Sequence, residues 1–114
     1  MNDSLQVLLV EDDPDVRLGC EQALQLEDIP VSGVDSAEAA LRRISPDFAG
    51  VVVSDIRLPG MDGMALLREL RALDPDLPVV LITGHGDVTL AVQAMKAGAH
   101  DFIEKPFSPD HLVE

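Results

Sequence analysis

The chain has 114 residues, of which 46% are hydrophobic, and this size and composition predict one folded domain over residues 1–114 and exclude a disordered chain. Its formal net charge of −13 argues against direct contact with nucleic acid or with an anionic membrane, because both require a basic surface. The N-terminal residues lack the features of a signal peptide and no apolar run is long enough to span a membrane, so we expect a cytoplasmic protein.

Short apolar runs that end in polar residues alternate with amphipathic helix patterns along the chain. In order, the sequence predicts a strand at 6–11, a helix capped by Asp13, a strand at 31–34, a helix capped by Ser36, a strand at 50–55, a helix that begins near Gly63, a strand at 79–82, a helix capped by Asp87 and a strand at 101–104. Ser108 and Pro109 predict the start of one more helix, which is truncated to a stub at Glu114. The alternation predicts a doubly wound α/β fold, in which helices cover both faces of a parallel sheet.

The apolar residues of each helix pattern predict the face that packs on the sheet. In the third helix these are Leu66, Leu67, Leu70 and Leu73, and in the fourth they are Val88, Ala91, Val92 and Met95. The second strand is less apolar than the first, which favours an edge position. Asp13 and Asp62 are interpreted as helix caps, and the single Cys20 as a small core residue.

Four of the five predicted strands end in residues that can carry chemistry: Glu11 and Asp12, Asp55, Thr83, and Lys105. In a parallel sheet these ends share one edge, and ligands of doubly wound folds bind there. Carboxylate oxygens suit a hard divalent cation such as Mg²⁺, and a carboxylate can also be the nucleophile that accepts a phosphoryl group. An ammonium and a hydroxyl would stabilise the charge that develops during such a transfer. The set therefore predicts a site for phosphoryl-transfer chemistry beside a divalent cation.

Four segments in register resemble the receiver domains of two-component response regulators: LVEDD at 9–13, SDIRLPGMDG at 54–63, ITG at 82–84 and KPF at 105–107. The resemblance covers essentially the whole chain and implies a (βα)₅, flavodoxin-like fold with strand order 2-1-3-4-5. It implies that a sensor histidine kinase phosphorylates Asp55 and that Mg²⁺ is the cofactor. Glu11, Asp12, Asp55 and the backbone carbonyl of Arg57 would bind the metal. Glu11 stands where many members of the family have Asp.

The same resemblance assigns roles at the remaining strand ends. Lys105 would contact the phosphoryl group, with its bond to Pro106 in cis, and Thr83 and Phe102 would change conformation together as the switch. The domain would catalyse its own phosphotransfer and slow hydrolysis without being a conventional enzyme. Phosphorylation would control a homodimer and an attached output of ATPase and DNA-binding regions, which this chain does not contain.

Similarity over further segments indicates which kind of response regulator this receiver resembles. Residues 83–87, 91–95 and 98–107 are similar to receivers of sigma-54-dependent activators, and residues 47–50 and 73–78 to C4-dicarboxylate transport regulators in particular. Receivers of nitrogen-fixation regulators and stand-alone response regulators are the alternatives. An Asp-nucleophile phosphatase is disfavoured because Arg57 occupies the place of its second acid, and a calcium-binding module is disfavoured because the alternating-acid loop is missing.

Overall fold

The computed structural model describes residues 6–44, 48, 50–58, 60–83 and 88–104, with the backbone alone at 83, 88, 90, 91 and 104. Within this part of the chain, strands and helices alternate. Their bounds are β1 (Gln6–Val10), α1 (Pro14–Leu26), β2 (Val31–Val34), α2 (Ala37–Arg43), β3 (Gly50–Asp55), α3 (Gly63–Leu73), β4 (Val79–Thr83), α4 (Val88–Lys96) and β5 (Asp101–Glu104). The predicted order of elements is confirmed. The first strand ends one residue earlier than predicted, at Val10, and the fourth includes Thr83.

The five strands form one sheet in the order β2-β1-β3-β4-β5, and every neighbouring pair is parallel. This is the strand order implied by the resemblance, with β2 at an edge as its weaker apolar character predicted. The order reverses between β1 and β3, because β2 lies outside β1 whereas β4 and β5 extend the sheet beyond β3. A doubly wound sheet of this kind binds ligands at the carboxyl ends of its strands beside that reversal.

Buried side chains cover both faces of the sheet. The large core contains Leu8, Val10, Val52, Val79 and Leu81 from the strands and is covered by residues of α2, α3 and α4. The small core contains Val7, Leu9, Val53, Val80, Ile82 and Ile103 from the strands and Leu24 from α1. Neighbouring residues of a strand alternate between the two cores, as the pleat of a strand requires. The half-buried Cys20 packs against the small core, in agreement with its prediction as a small core residue.

The predicted caps hold the helix starts. Asp13 precedes Pro14 and its side chain accepts hydrogen bonds from the backbone N–H groups of Asp15 and Val16. Ser36 and Asp62 accept in the same way at the starts of α2 and α3. These side chains satisfy N–H groups that have no partner within the helix. The predicted cap Asp87 and the predicted final helix from Ser108 lie outside the described residues.

The predicted buried faces of α3 and α4 are partly wrong. Leu73 is 62% exposed because it is the last residue of α3, and Leu77 from the following loop is buried in the large core instead. On α4, Val92 is 47% and Met95 49% exposed, whereas Ala94 is fully buried. Among the α4 side chains that the structure describes, Ala94 is the buried one, and the side chains of the predicted residues Val88 and Ala91 lie outside the described part. None of the described helices is long and apolar enough to cross a lipid bilayer.

Candidate functional site

The strand register determines which residues meet at the carboxyl edge of the sheet. Val10 pairs with Ser54, and Asp55 pairs with Ile82. Glu11 is the first residue after β1, so this register places it beside Asp55 at the end of β3. These acids lie close together because β1 and β3 are parallel neighbours whose carboxyl ends are level in the register.

The acidic cluster consists of Glu11, Asp12 and Asp55. Each residue offers one carboxylate oxygen, and the three oxygens lie within 4.8 Å of one another. Glu11 is 5% exposed and Asp55 9% exposed, whereas Asp12 is exposed to solvent. Negative charges this close to one another repel, and the repulsion is screened least where the carboxylates are buried. A bound cation would relieve this repulsion.

Local hydrogen bonds hold Asp55 in position. The backbone N–H of Arg57 donates to Asp55 Oδ1 at 3.0 Å, and the Ser54 hydroxyl donates to the Asp55 carbonyl at 2.9 Å. Ile56 directly follows Asp55, and its backbone N–H donates to the carbonyl of Ile82 on β4 at 2.9 Å. Asp55 is therefore oriented by the turn that follows it and is anchored to the neighbouring strand.

Helix α3 begins directly against the end of β3. The N–H of Gly63 donates to the carbonyl of Ile56 at 3.0 Å. A Cβ atom at Gly63 would lie 2.6 Å from the Asp55 carbonyl oxygen and 2.7 Å from the Cα of Ile56. Only glycine leaves room for this contact, so the position of Asp55 depends on a residue eight positions later in the chain.

The turn between β1 and α1 holds Glu11 through several groups. The Glu11 N–H bonds to the carbonyl of Val34 at 3.0 Å, and its Oε2 accepts from the N–H of Asp13 at 3.2 Å. Its carbonyl accepts from Arg17 Nη1 at 2.8 Å. Glu11, which the sequence predicts as a residue of the cation site, therefore has both its N–H and its carbonyl group hydrogen-bonded.

The other predicted site residues are described only in part. The backbone of Thr83 pairs with Glu104 at the carboxyl ends of β4 and β5, while the Thr83 side chain lies outside the described residues. Lys105, with its bond to Pro106, also lies outside them. Phe102 is half-buried and packs against the large core. Arg57 is exposed and lies two residues after Asp55.

Two contacts at the site were not predicted from the sequence. Arg17 donates a hydrogen bond to the Glu11 carbonyl, and Gly63 lies directly against the main chain of Asp55 and Ile56. Arg17 lies four residues after the helix cap Asp13, a spacing that returns a long side chain toward the preceding strand end. That spacing is the only signal of its contact with Glu11. The close approach at Gly63 has no signal in a single sequence, because a glycine at the start of a helix is also explained by the loop before it.

The donor set decides what the acidic cluster could hold. Among the described residues the cluster consists of carboxylates alone, and hard divalent cations such as Mg²⁺ and Ca²⁺ prefer such oxygen ligands. Mg²⁺ uses one or two protein carboxylates together with water and phosphate oxygens, which suits a cluster with one exposed and two buried acids. The residues therefore fit Mg²⁺.

Comparison with known proteins agrees with the fold. Residues 7–114 match the family model of the response regulator receiver domain. The chain is 54% identical over 114 residues to the C4-dicarboxylate transport transcriptional regulatory protein DctD of Rhizobium meliloti, covering 100% of this chain and 25% of that protein. It is 45% identical over 113 residues to the transcriptional regulatory protein FixJ of Azorhizobium caulinodans, covering 99% and 54%.

A solved structure shows the same architecture. The receiver domain of NtrX from Brucella abortus superposes with a TM-score of 0.86 at 41% identity, over 95% of this chain and 92% of that one. The chain spans about a quarter of the length of DctD and about half that of FixJ. The predicted likeness to regulators of C4-dicarboxylate transport is confirmed by the match to DctD.

Proposed function

Because this chain belongs to the response regulator receiver domain family, we propose that Asp55 accepts a phosphoryl group from a sensor histidine kinase with Mg²⁺ bound beside it. The observation that supports this most directly is the acidic cluster at the carboxyl edge of the sheet. The relatives are transcriptional regulatory proteins, and the proposed role of the domain is to switch an output of that kind. A cytoplasmic location is part of the proposal.

In the transfer, a carboxylate oxygen of Asp55 attacks the phosphorus of the kinase phosphohistidine. The new O–P bond forms as the P–N bond breaks, and the imidazole nitrogen keeps the electron pair and takes up a proton. Asp55 becomes an acyl phosphate. The hydrogen bond from the Arg57 N–H orients the carboxylate before the attack, and burial keeps bulk water away from it. Hydrolysis of the acyl phosphate, catalysed by the same site, would end the signal.

The proposed metal ligands are Glu11, Asp12, Asp55 and the backbone carbonyl of Arg57, with Glu11 acting through water. When bound, Mg²⁺ neutralises charge on the phosphoryl oxygens. The carboxylates that hold it would otherwise repel the incoming dianionic group. The cluster on its own therefore disfavours phosphotransfer, and the proposal makes the reaction depend on a divalent cation.

Lys105 and Thr83 complete the proposed site. The register supports their placement, because Thr83 pairs with Glu104 at the edge that carries Asp55 and Lys105 is the next residue of the chain. The Lys105 ammonium would pair with a phosphoryl oxygen, and the Thr83 hydroxyl would donate to another. Phe102 would change its rotamer when Thr83 moves toward the phosphoryl group.

Helix α4 offers the surface through which this change would be passed on. Val92 and Met95 expose apolar side chains there, and such exposure favours contact with another protein surface. We propose a phosphorylation-dependent homodimer at α4 and β5. In an intact regulator the dimer would control ATPase and DNA-binding regions as in sigma-54-dependent activators, with an output of the FixJ type as the alternative.

The test is labelling with acetyl phosphate and Mg²⁺, followed by mass spectrometry of the intact chain. We expect one added phosphoryl group that is stable in acid and labile in base, as an acyl phosphate is. Asp55→Asn removes the nucleophile with little change in size and should abolish the label. Omission of Mg²⁺ should abolish it as well.

Asp62→Asn is the matched control, because Asp62 is exposed and an Asn side chain also caps a helix. This variant should be labelled like the original chain. Equal labelling of the Asp55→Asn variant would show that the phosphoryl group resides elsewhere, and the proposed site would be wrong.

A further inference from the structure

Arg17 reaches back from α1 to the end of β1. Its Nη1 donates to the Glu11 carbonyl oxygen at 2.8 Å, and this hydrogen bond is partly buried. Because the Glu11 N–H is also bonded, to Val34, both main-chain groups of Glu11 are fixed. The peptide that follows this carbonyl joins Glu11 to Asp12. A single guanidinium therefore controls the orientation of the peptide between two members of the acidic cluster.

Gly33 on the edge strand β2 leaves room for the side chains of Arg17 and Glu21. A Cβ atom at Gly33 would lie 3.0 Å from Arg17 Cδ and would overlap the carboxylate of Glu21. The arginine stem therefore lies across the edge strand where that strand has no side chain. From this position the guanidinium reaches the carbonyl of Glu11 at the end of β1.

The chemistry of the guanidinium suits this role. It is planar, permanently charged and carries directional donors, so it holds the carbonyl whether or not a cation occupies the acidic cluster. It also places a positive charge beside the turn that carries Glu11 and Asp12, two of the three carboxylates of the cluster. A metal ligand whose outer contacts are fixed binds its cation more tightly than one that must be ordered first.

We propose that Arg17 is a positioning residue of the acidic cluster, which holds the Glu11–Asp12 peptide so that both carboxylates face the cation. Arg17 itself binds neither the cation nor the phosphoryl group. This inference rests on the proposed function of the cluster as a Mg²⁺ and phosphoryl-transfer site.

The test replaces Arg17 by Met, which keeps a long stem over Gly33 and removes the donors. Calorimetric titration with Mg²⁺ should show an affinity lower by about tenfold, as for other outer contacts of metal ligands. The rate of labelling by acetyl phosphate should fall at limiting Mg²⁺ and return close to that of the original chain at saturating Mg²⁺. Arg17→Lys keeps a charged donor and should recover part of the affinity.

Arg68→Met is the control, since Arg68 is an exposed arginine on α3 and its replacement should leave Mg²⁺ affinity unchanged. Gly33→Ala disturbs Arg17 from the strand side and should weaken Mg²⁺ binding by itself. In the Arg17→Met background the same change should have a much smaller effect, because the two act through one contact.

The possible results separate the two proposals. If the original chain neither binds Mg²⁺ nor accepts a phosphoryl group, the proposed function fails. If it does both and the Arg17→Met variant binds Mg²⁺ equally well, the function stands and the positioning role is wrong. A labelling defect that saturating Mg²⁺ leaves unchanged would also overturn the positioning role, since it would point to a general disturbance of the fold.

Discussion

At the scale of single residues, Gly63 shows how closely α3 and the end of β3 approach each other. An added Cβ would meet the Asp55 carbonyl at 2.6 Å and the Cα of Ile56 at 2.7 Å, and both are main-chain atoms that cannot rotate away. Gly63→Ala should therefore move the backbone at Asp55. We expect the free energy of unfolding to fall by about 1–3 kcal/mol, the usual cost of overpacking. Mg²⁺ affinity should fall too.

Gly19 provides the matched comparison. It lies inside α1, and nothing lies within 4 Å of a Cβ built on it. Gly19→Ala should stabilise the chain by about 0.5–1 kcal/mol, because alanine loses less conformational freedom in a helix. Urea unfolding followed by circular dichroism measures both variants. The close contact at Gly63 would be disproved if both alanine variants were equally stabilising.

Sequence could predict the residues of the site better than the contacts that hold them. Glu11, Asp12 and Asp55 were predictable as residues of one sheet edge, because acids that directly follow or end strands of a parallel sheet lie at its carboxyl edge, and the strand order from the family resemblance makes β1 and β3 neighbours. The hydrogen bond from Arg17 to the Glu11 carbonyl was not, because any long polar side chain near a strand end can make such a contact or point into solvent. The space that the Arg17 side chain occupies is left open by Gly33, which lies on β2 and is distant in sequence.

At the scale of elements, neighbouring acids at the start of α1 have different roles: Asp13 caps the helix, whereas Asp12 belongs to the acidic cluster. The Asp13 side chain accepts from two N–H groups of the first turn, and Asp13 is not a member of the acidic cluster. Asp13→Ala should cost about 1 kcal/mol in the free energy of unfolding, whereas Asp13→Asn keeps an acceptor and should cost much less. Asp13→Asn should also leave Mg²⁺ affinity unchanged. A loss of affinity as large as that caused by Asp12→Asn would instead make Asp13 a ligand.

Strands and helices differed in how far their packing could be predicted. β3 was predictable because three consecutive β-branched residues suit a strand that is buried on both faces, and Val52 and Val53 do enter different cores. The buried face of α4 was not, because Ala94 carries little hydrophobic signal although it is fully buried. Val92 and Met95 lie on the surface that we propose for dimerisation.

At the scale of the whole molecule, sheet topology brings together residues that are distant in sequence. Glu11 and Asp55 are separated in sequence by α1, β2, α2 and most of β3, and they meet because β1 and β3 are neighbours in the order β2-β1-β3-β4-β5. The alternation of elements predicted the parallel sheet, but the order of its strands came from resemblance to a family. Several orders satisfy the same alternation, and hydrophobic patterns do not distinguish them.

The negative charge of the whole chain links its stability to cation binding, and this link can be tested by measuring the free energy of unfolding with and without Mg²⁺. With a net charge of −13 and three carboxylates in one cluster, we expect repulsion to destabilise the chain in the absence of divalent cations. Asp12 is the exposed member of the cluster, so Asp12→Asn should raise the free energy of unfolding in the presence of a chelator by only about 0.5–1 kcal/mol. In Mg²⁺ at about 100 times its dissociation constant, the original chain should gain about 2.7 kcal/mol. The variant should gain far less, so the order of stability reverses.

Urea unfolding followed by circular dichroism, with and without Mg²⁺, measures this reversal, since the chain contains neither Trp nor Tyr for a fluorescence measurement. Asp76→Asn changes the net charge equally at an exposed position in the loop before β4, at the opposite edge of the sheet. It should keep the full stabilisation by Mg²⁺. If Asp12→Asn also kept it, Asp12 would not bind the cation and the cluster would be reduced to its two buried acids. If both variants lost it equally, the cation would be responding to overall charge, and a specific site between β1 and β3 would be excluded.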